Sequence, residues 1–575
     1  MSPVDLAVLV ATLAGFVGYG LWRSRGTRDM AGYLVAGREI PWPMVALSVM
    51  ATQASAVTFL ATPGQGYVGG LSFVQFYFGL PIAMVVLCAT LVPLYQRLRV
   101  RTAYEFLERR FDGRTRSLAT FLFLLQRGLA AGITLYAPGL VLSVILHLDV
   151  RLTCAVLGLL VLGTTALGGA RAVAHTQALQ FSIIIAAMVL AFVLALRTLP
   201  QGLGAGDGLA IAGHLGKLQA VDMHFDPRGR YNLWAGLIGG FFLQFSYFGT
   251  DQSQVGRYLS ARSSRESRLG LLFNGLFKVP MQAFILLLGV LVFVTYQFTP
   301  APLFFDPAGP ARMHASAHAG AWDALERAHA ARARDRRAAL TGWHAARKVG
   351  DAAAAAREDD RLQAAQSADK AARDSAVVLL KASGPATNTN DTNYVFLHFV
   401  LTRLPVGVIG LVLAAIFAAS MNSTSSEVHA LTSTTMVDVL ERLPGVARDE
   451  RRELRWTRLA NVFWVGFAVL FSQVAGRSGS LVETVNQMGS LFYGTILGLF
   501  VTAFLVRRAG GPAVFLAALI AEATVLLCWK LDLVFWLWFN VVGCVLTVAL
   551  AAIFAQFVPA WRAGPEQREP LQPSA

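Results

Sequence analysis

MVALSVMATQASAVTFLATPGQGY, residues 44–67, is apolar at its start but small and polar at its middle, where Thr52, Gln53, Ser55 and Thr58 follow one another closely. A stretch of about 20 apolar residues crosses a hydrocarbon core of about 30 Å. A polar group left unpaired in lipid costs several kcal/mol, so these side chains must face protein or a water-filled cavity. A second stretch, NLWAGLIGGFFLQFSYFGTDQSQVGRYL at 232–259, is interrupted in the same way by Gly239-Gly240 and then Gly249-Thr250-Asp251-Gln252. Interrupted spans at matching positions of two halves point to an inverted-repeat secondary transporter. Their half-helix ends expose free carbonyls for a cation and free N–H groups for an anion.

The rest of the chain agrees with a membrane reading. Its 575 residues are 55% hydrophobic and 14% charged, with mean hydropathy +0.54, whereas ordinary soluble domains carry roughly 25% charge. The pattern predicts an all-α polytopic membrane protein of about 13 spans, near 4–22, 42–62, 70–93, 117–146, 151–168, 174–198, 231–255, 270–298, 404–438, 453–474, 481–506, 512–530 and 533–556. The second span opens one five-span block and the seventh opens the next. Arginines fill alternate loops: Arg23, Arg25 and Arg28, then Arg97 to Arg116, Arg257 to Arg268, Arg442 to Arg458, and Arg507 with Arg508. The positive-inside rule therefore places the N-terminus outside and the C-terminus inside. The same placement assigns the net charge of +15 to topology, and no nucleic-acid partner is expected. Residues 1–22 read as a retained span, since they lack a basic n-region and a convincing cleavage site. Cys88, Cys154, Cys528 and Cys544 all fall in apolar runs and offer neither a disulfide framework nor a zinc spacing.

Four regions follow: spans one to eight in 1–298, an insertion at 299–392, spans nine to thirteen in 393–560, and a cytoplasmic tail at 561–575. The insertion is rich in Ala and Arg and has high helix propensity. A break at Thr341-Gly342 or at Val349-Gly350-Asp351 makes it a helical hairpin outside the cell. It serves either as a solvated spacer or as a dock for an extracytoplasmic partner.

One further stretch has chemistry. AAIFAASMNSTSSEVHALTSTTMVDVL, residues 414–440, carries Ser or Thr at 420, 423–426 and 432–435. Hydroxyl oxygens suit a hard cation such as sodium. The alternative is that they bond to their own helix or to neighbouring helices, a common use in membranes.

At these residues the chain resembles the sodium:solute symporter family, which includes sodium/glucose, sodium/proline, sialic acid, multivitamin, monocarboxylate and iodide cotransporters. The resemblance rests on YLVAGREIPW (33–42), ATQASAVTFLATPG (51–64), RTAYEFLERRF (101–111), LYAPGLVLS (135–143), GGARAVAHTQALQ (168–180), GTDQSQVGRYLSARSSRES (249–267) and the 414–440 helix. It implies a LeuT-type 5+5 inverted-repeat core, alternating access and sodium as the coupling ion. It also implies a principal sodium site of backbone carbonyls at Ala51 and Ala54 with Ala419, Asn422 and Ser423; Asn422 stands where relatives usually have Ser. A second sodium in some relatives corresponds to Ser425, Ser426 and Gln177, with Gln177 in place of their Asp. The substrate positions of the sugar-transporting relatives correspond to Gln53, Thr58, Tyr77, Tyr247, Phe248, Lys278 and Asn486. The sugar-binding His and Glu of those relatives are Thr58 and Tyr77 here, which argues against glucose-type recognition. Lys278 acts on the solute, or it pairs with Asp251 or a backbone carbonyl.

Arg127, in LLQRGLAAGITLYAPGLVL, lies about ten residues into the fourth span, or roughly 15 Å along a helix. It clamps a substrate carboxylate bidentately or snorkels to the cytoplasmic face. The adjoining LYAP segment resembles the branch with anionic substrates. The expectation is a sodium-coupled importer of a small organic solute, leaning to an organic anion, in a cell (inner) membrane. Two alternatives share the fold. One is a proton-coupled or uncoupled transporter, for which Asp251, Glu483 and Glu522 are the carboxylates at hand. The other is a solute sensor, which the short Pro-rich tail disfavours. No phosphate loop, metal cluster or triad can be assembled, so enzyme activity is not expected.

Overall fold

The computed structural model describes residues 1–24, 40–167, 170–200, 202–384, 389–442, 450–475 and 480–563. Most of YLVAGREIPW, the first two residues of GGARAVAHTQALQ and nearly all of the 561–575 tail lie outside them. Among the described residues the chain is helical, with two isolated backbone bridges, Ile40 to Ala261 and Ala509 to Arg562, as its only extended pairings. Among the described residues nine helices are long and apolar enough to cross a membrane, and a broken pair makes a tenth. The protein is a multi-pass membrane protein.

The broken pair is the stretch quoted first. Helix Trp42–Gln53 begins with Pro43 in its first turn, where a missing N–H costs nothing. It ends when the Ala54 N–H closes onto the Met50 carbonyl at 2.8 Å. Ala54 leaves the helical region (ψ 74°) and Ser55 is extended. Helix Ala56–Gly69 then continues at an angle of 62°. Its C-terminal half is clamped by backbone. A Cβ on Gly64 would stand 2.1 Å from the Thr392 carbonyl oxygen, so only glycine lets the neighbouring chain approach so closely. The neighbour there is helix Thr392–Arg403, buried over most of its length. The sequence reading assigned no element to it, because it is short and sits between the insertion and the ninth span.

Of the two places expected to interrupt the second stretch, only the one at Gly249-Thr250-Asp251-Gln252 breaks the helix. At Gly239-Gly240 the helix continues through one wide π turn, Ala235–Gly239. The break comes at Asp251, which is extended (ψ 119°) between helices Gly240–Thr250 and Gln252–Leu259. Asp251 caps the second piece, accepting from the Ser253 N–H at 2.8 Å. The carbonyls of Gly249 and Thr250, freed by the break, accept from the hydroxyls of Tyr95 (2.7 Å) and Tyr104 (2.8 Å).

At the face that the arginine pattern assigns to the cytoplasm, ion pairs stitch the 101–116 segment to the end of the hydroxyl-rich helix Val408–Thr434. Arg116 bonds Asp438 (2.7 Å) and Glu108 (2.6 Å), Arg101 bonds Glu441, and Arg442 bonds Glu108. The insertion is a hairpin of helices Ala319–Val349 and Ala352–Ala382. Of its two candidate breaks, the turn is the one at Gly350 (φ 78°), and the first helix runs straight through Thr341-Gly342. Leu340, Trp343 and Leu362 pack against Ile211, Val290 and Val294. Two pairs, His214 with Asp359 (2.8 Å) and His344 with Asp207 (2.9 Å), fasten the hairpin to helix Ala205–His214.

Candidate functional site

The first break lies beside the hydroxyl-rich helix. Because Ala54 is the last donor of helix Trp42–Gln53, the carbonyls of residues 51–54 lie beyond its hydrogen-bond ladder. Ser423 Oγ donates to the Thr52 carbonyl at 3.3 Å, so the carbonyl seated on Ser423 is one residue along from Ala51. Thr52 Oγ1 lies 3.4 Å from Ser426 Oγ. Asn422 is buried, and its amide nitrogen has no hydrogen-bond partner among the described residues. Ala51, Ala54 and Ala419 are buried in the same core. Carbonyl and hydroxyl oxygens with an amide beside them form a donor set that fits a hard monovalent cation.

The second group of expected sodium residues joins the first. Gln177, fully buried, accepts from Ser48 Oγ at 2.6 Å and donates to Ser426 Oγ at 2.7 Å and the Asn422 carbonyl at 3.4 Å. Ser426 also donates to the Asn422 carbonyl. Ser425 is only half-buried and makes no hydrogen bond to this cluster among the described residues. Three side chains that the sequence divided between two ion sites, Ser423, Ser426 and Gln177, thus meet through Thr52 and the Asn422 main-chain carbonyl in one hydrogen-bond network.

Next to it is a cavity of about 80 Å³, lined by residues of the broken helix, of helices Gly113–Leu146, Gly240–Thr250 and Leu481–Leu505, and by Glu427. One buried water needs about 10–15 Å³, so this conformation has room for a few heavy atoms. Of the eight expected substrate residues, Gln53, Thr58, Tyr77, Arg127, Tyr247 and Asn486 line it. Phe248 and Lys278 do not. Phe248 is fully buried, its ring centroid 5.0 Å from that of Tyr247. Lys278 is fully buried too, its ammonium 5.8 Å from the Tyr77 ring and without a hydrogen-bond partner among the described residues. The expected alternatives for Lys278, Asp251 or a carbonyl, are not what it touches.

Arg127 does not snorkel. Its guanidinium is buried and ion-paired to Asp251, bonded to Glu427 at 3.0 Å and to the Tyr493 hydroxyl at 2.5 Å, and lies over the Tyr247 ring. Tyr493 in turn donates to Asp251 at 2.8 Å. The break of the second interrupted helix, the cavity and the hydroxyl-rich helix thereby meet on one side chain. Sequence reading passed over Glu427, Tyr493, Gln126 and Gln244, all of which line the cavity. Glu427 had a signal, a carboxylate in the middle of an apolar helix, which is functional by default.

A model described as the sodium:solute symporter family matches residues 33–312 and 372–521 and leaves most of the hairpin unmatched. The human sodium/iodide cotransporter is 31% identical over 297 residues, 51% of this chain and 45% of its own length. The human sodium-coupled monocarboxylate transporter 1 is 33% identical over 256 residues, 44% and 42%. The sodium-dependent multivitamin transporter of Oryctolagus cuniculus is 29% identical over 304 residues, 52% and 47%. The matched part of this chain spans less than half the length of these relatives. Among solved structures, a substrate-bound, outward-open Na+-coupled sialic acid symporter superposes with a TM-score of 0.74, covering 96% of this chain and 98% of its own. At 20% identity that likeness is one of fold.

Proposed function

This chain belongs to the sodium:solute symporter family, and on that premise we propose that it imports a small organic solute, an organic anion by preference, coupled to sodium. The observation that carries the reading is the position of Ser423 against the Thr52 carbonyl. It sets oxygen ligands at a helix break, directly beside a cavity lined by Thr52, Gln53 and Arg127. Sodium held by Ala51, Ala54, Ala419, Asn422 and Ser423 would bind the hydroxyl-rich helix to the broken one and so complete the cavity wall. Ser426 and Gln177 bear on the same oxygens. Arg127 supports an anionic solute, as does the fact that the relatives are described as carriers of iodide and monocarboxylates.

The proposal includes a LeuT-type 5+5 core of about 13 spans, with the N-terminus outside and the C-terminus inside. One sodium moving down 100 mV supplies about 2.3 kcal/mol, enough for roughly fiftyfold accumulation of a neutral solute. A monovalent anion carried with one sodium moves no net charge and draws on the sodium gradient alone. Uptake into vesicles, with sodium replaced by choline and external pH varied, tests this. Accumulation that needs sodium supports the reading, and accumulation driven by acid pH in choline replaces it with proton coupling.

A further inference from the structure

Arg127 carries two carboxylates that are held very differently. Asp251 is fixed from several sides. One oxygen takes the Ser253 N–H (2.8 Å) and hydroxyl (2.6 Å), and the other takes Arg127 and the Tyr493 hydroxyl. Glu427 is fixed by one oxygen only, which accepts from Arg127 at 3.0 Å and from Thr134 at 3.4 Å. Its other oxygen is buried without a hydrogen-bond partner among the described residues, as is Arg127 Nε. Of the two, Glu427 is the carboxylate that can be exchanged. It also follows Ser426 directly and stands one helical turn beyond Ser423, on the helix that faces the first break.

Formal charge then limits what can bind. Arg127, Asp251 and Glu427 sum to one negative charge in a buried site, where uncompensated charge is expensive. An anionic solute alone would bring a second negative charge. An anion together with sodium leaves the sum unchanged.

Resting on the sodium–anion reading above, we propose that Glu427 is a built-in substitute anion. It occupies the solute's seat on Arg127 while the cavity is empty, and the arriving carboxylate displaces it toward the sodium site, where the cation compensates it. The displaced carboxylate is then the physical link that makes solute and sodium bind together. Linkage of this kind is reciprocal and amounts to about 5–150-fold in affinity.

The test uses sodium alone, with choline replacing it, read as the sodium concentration at half-maximal thermal stabilisation of detergent-purified full-length protein. R127Q/D251N removes one charge of each sign and frees Glu427, so it mimics the displaced state without any solute. It should bind sodium more tightly than the wild type, by roughly the 5–150-fold expected of a coupled pair. E427Q keeps the side-chain shape and should bind sodium more weakly than the wild type. R127Q/D251N with E427Q added should lose the gain. If E427Q and the wild type share one midpoint, Glu427 has no part in the sodium-bound state and the proposal is overturned, even where the double variant does not fold. An unchanged midpoint in a folded R127Q/D251N overturns it as well. Sodium indistinguishable from choline in the wild type removes the symport reading itself, a separate outcome.

Discussion

The amide of Gln177 joins Ser48 and Ser426, accepting from the first at 2.6 Å and donating to the second at 2.7 Å. One side chain on helix Ala170–Arg197 thus holds the first piece of the broken helix, Trp42–Gln53, against the hydroxyl-rich helix. The amide has both a donor and an acceptor, and the two hydroxyls use one each. Gln177→Ala strands both in a buried site. We expect a loss of about 1–3 kcal/mol of stability and weaker stabilisation by sodium, both read from thermal unfolding in sodium and in choline. A wild-type response to sodium would separate Gln177 from the ion site.

Helix Ser264–Phe298 crosses the second piece of the broken helix, Ala56–Gly69, with no room to spare. A Cβ on Gly289 would stand 1.9 Å from the Pro63 carbonyl oxygen, and one on Gly66 would stand 2.2 Å from that of Leu286. Both obstacles are backbone and cannot rotate away. Gly289→Ala should cost about 1–3 kcal/mol or more, visible as a lower melting temperature. Gly163→Ala, which meets nothing within 4 Å, is the control and should leave stability nearly unchanged.

Lys278 is a buried ammonium with no hydrogen-bond partner among the described residues. Burying it costs the protein solvation that no acceptor restores. Lys278→Met keeps the length and apolar stem, and it should raise stability by about 1–3 kcal/mol. Falling uptake at raised stability would assign Lys278 to transport despite its position outside the cavity. Lowered stability would reveal a partner formed in another conformation.

The hairpin should respond to acid. The hydrogen bond from His344, with help from the Gly204 N–H, holds the Asp207 carboxyl below its ordinary value of 3.8. A carboxylate with a lowered folded-state pKa stabilises the folded state above its unfolded pKa, and that contribution is lost as pH falls through the lowered value. Docking of helix Ala319–Val349 on helix Ala205–His214 should therefore hold from neutral pH down to about 4 and weaken below it. Hydrogen exchange of the two helices across pH measures this. His344→Ala removes the bond and should loosen the hairpin at neutral pH; unchanged protection in that variant would show that the Trp343–Leu340–Leu362 packing alone holds it.

The sequence by itself determined the membrane class, the first helix break, the hydroxyl-rich helix and the buried Arg127; the other five expected residues that line the cavity, Gln53, Thr58, Tyr77, Tyr247 and Asn486, were implied by the family resemblance. The first four are local signals. Lipid cannot hydrogen-bond, so a polar residue in an apolar run announces that protein must surround it. The hairpin was legible for a similar reason, since composition alone sets its helix propensity. Even locally the reading had limits. Of the two interruptions expected in 232–259, the one at Gly249-Thr250-Asp251-Gln252 is a true break, where the Asp251 side chain caps the next helix, whereas at Gly239-Gly240 the chain makes only a π turn.

Only the tertiary structure decided which charges meet. Arg127 finds Asp251 and Glu427 at separations of 124 and 300 residues, and Lys278, the cation that the sequence offered to Asp251, finds neither. The same is true of Gln177, 249 residues from Ser426. A single sequence shows that buried charges need partners, but the choice of partner depends on how the helices pack, and helices far apart in the chain meet only in the folded protein.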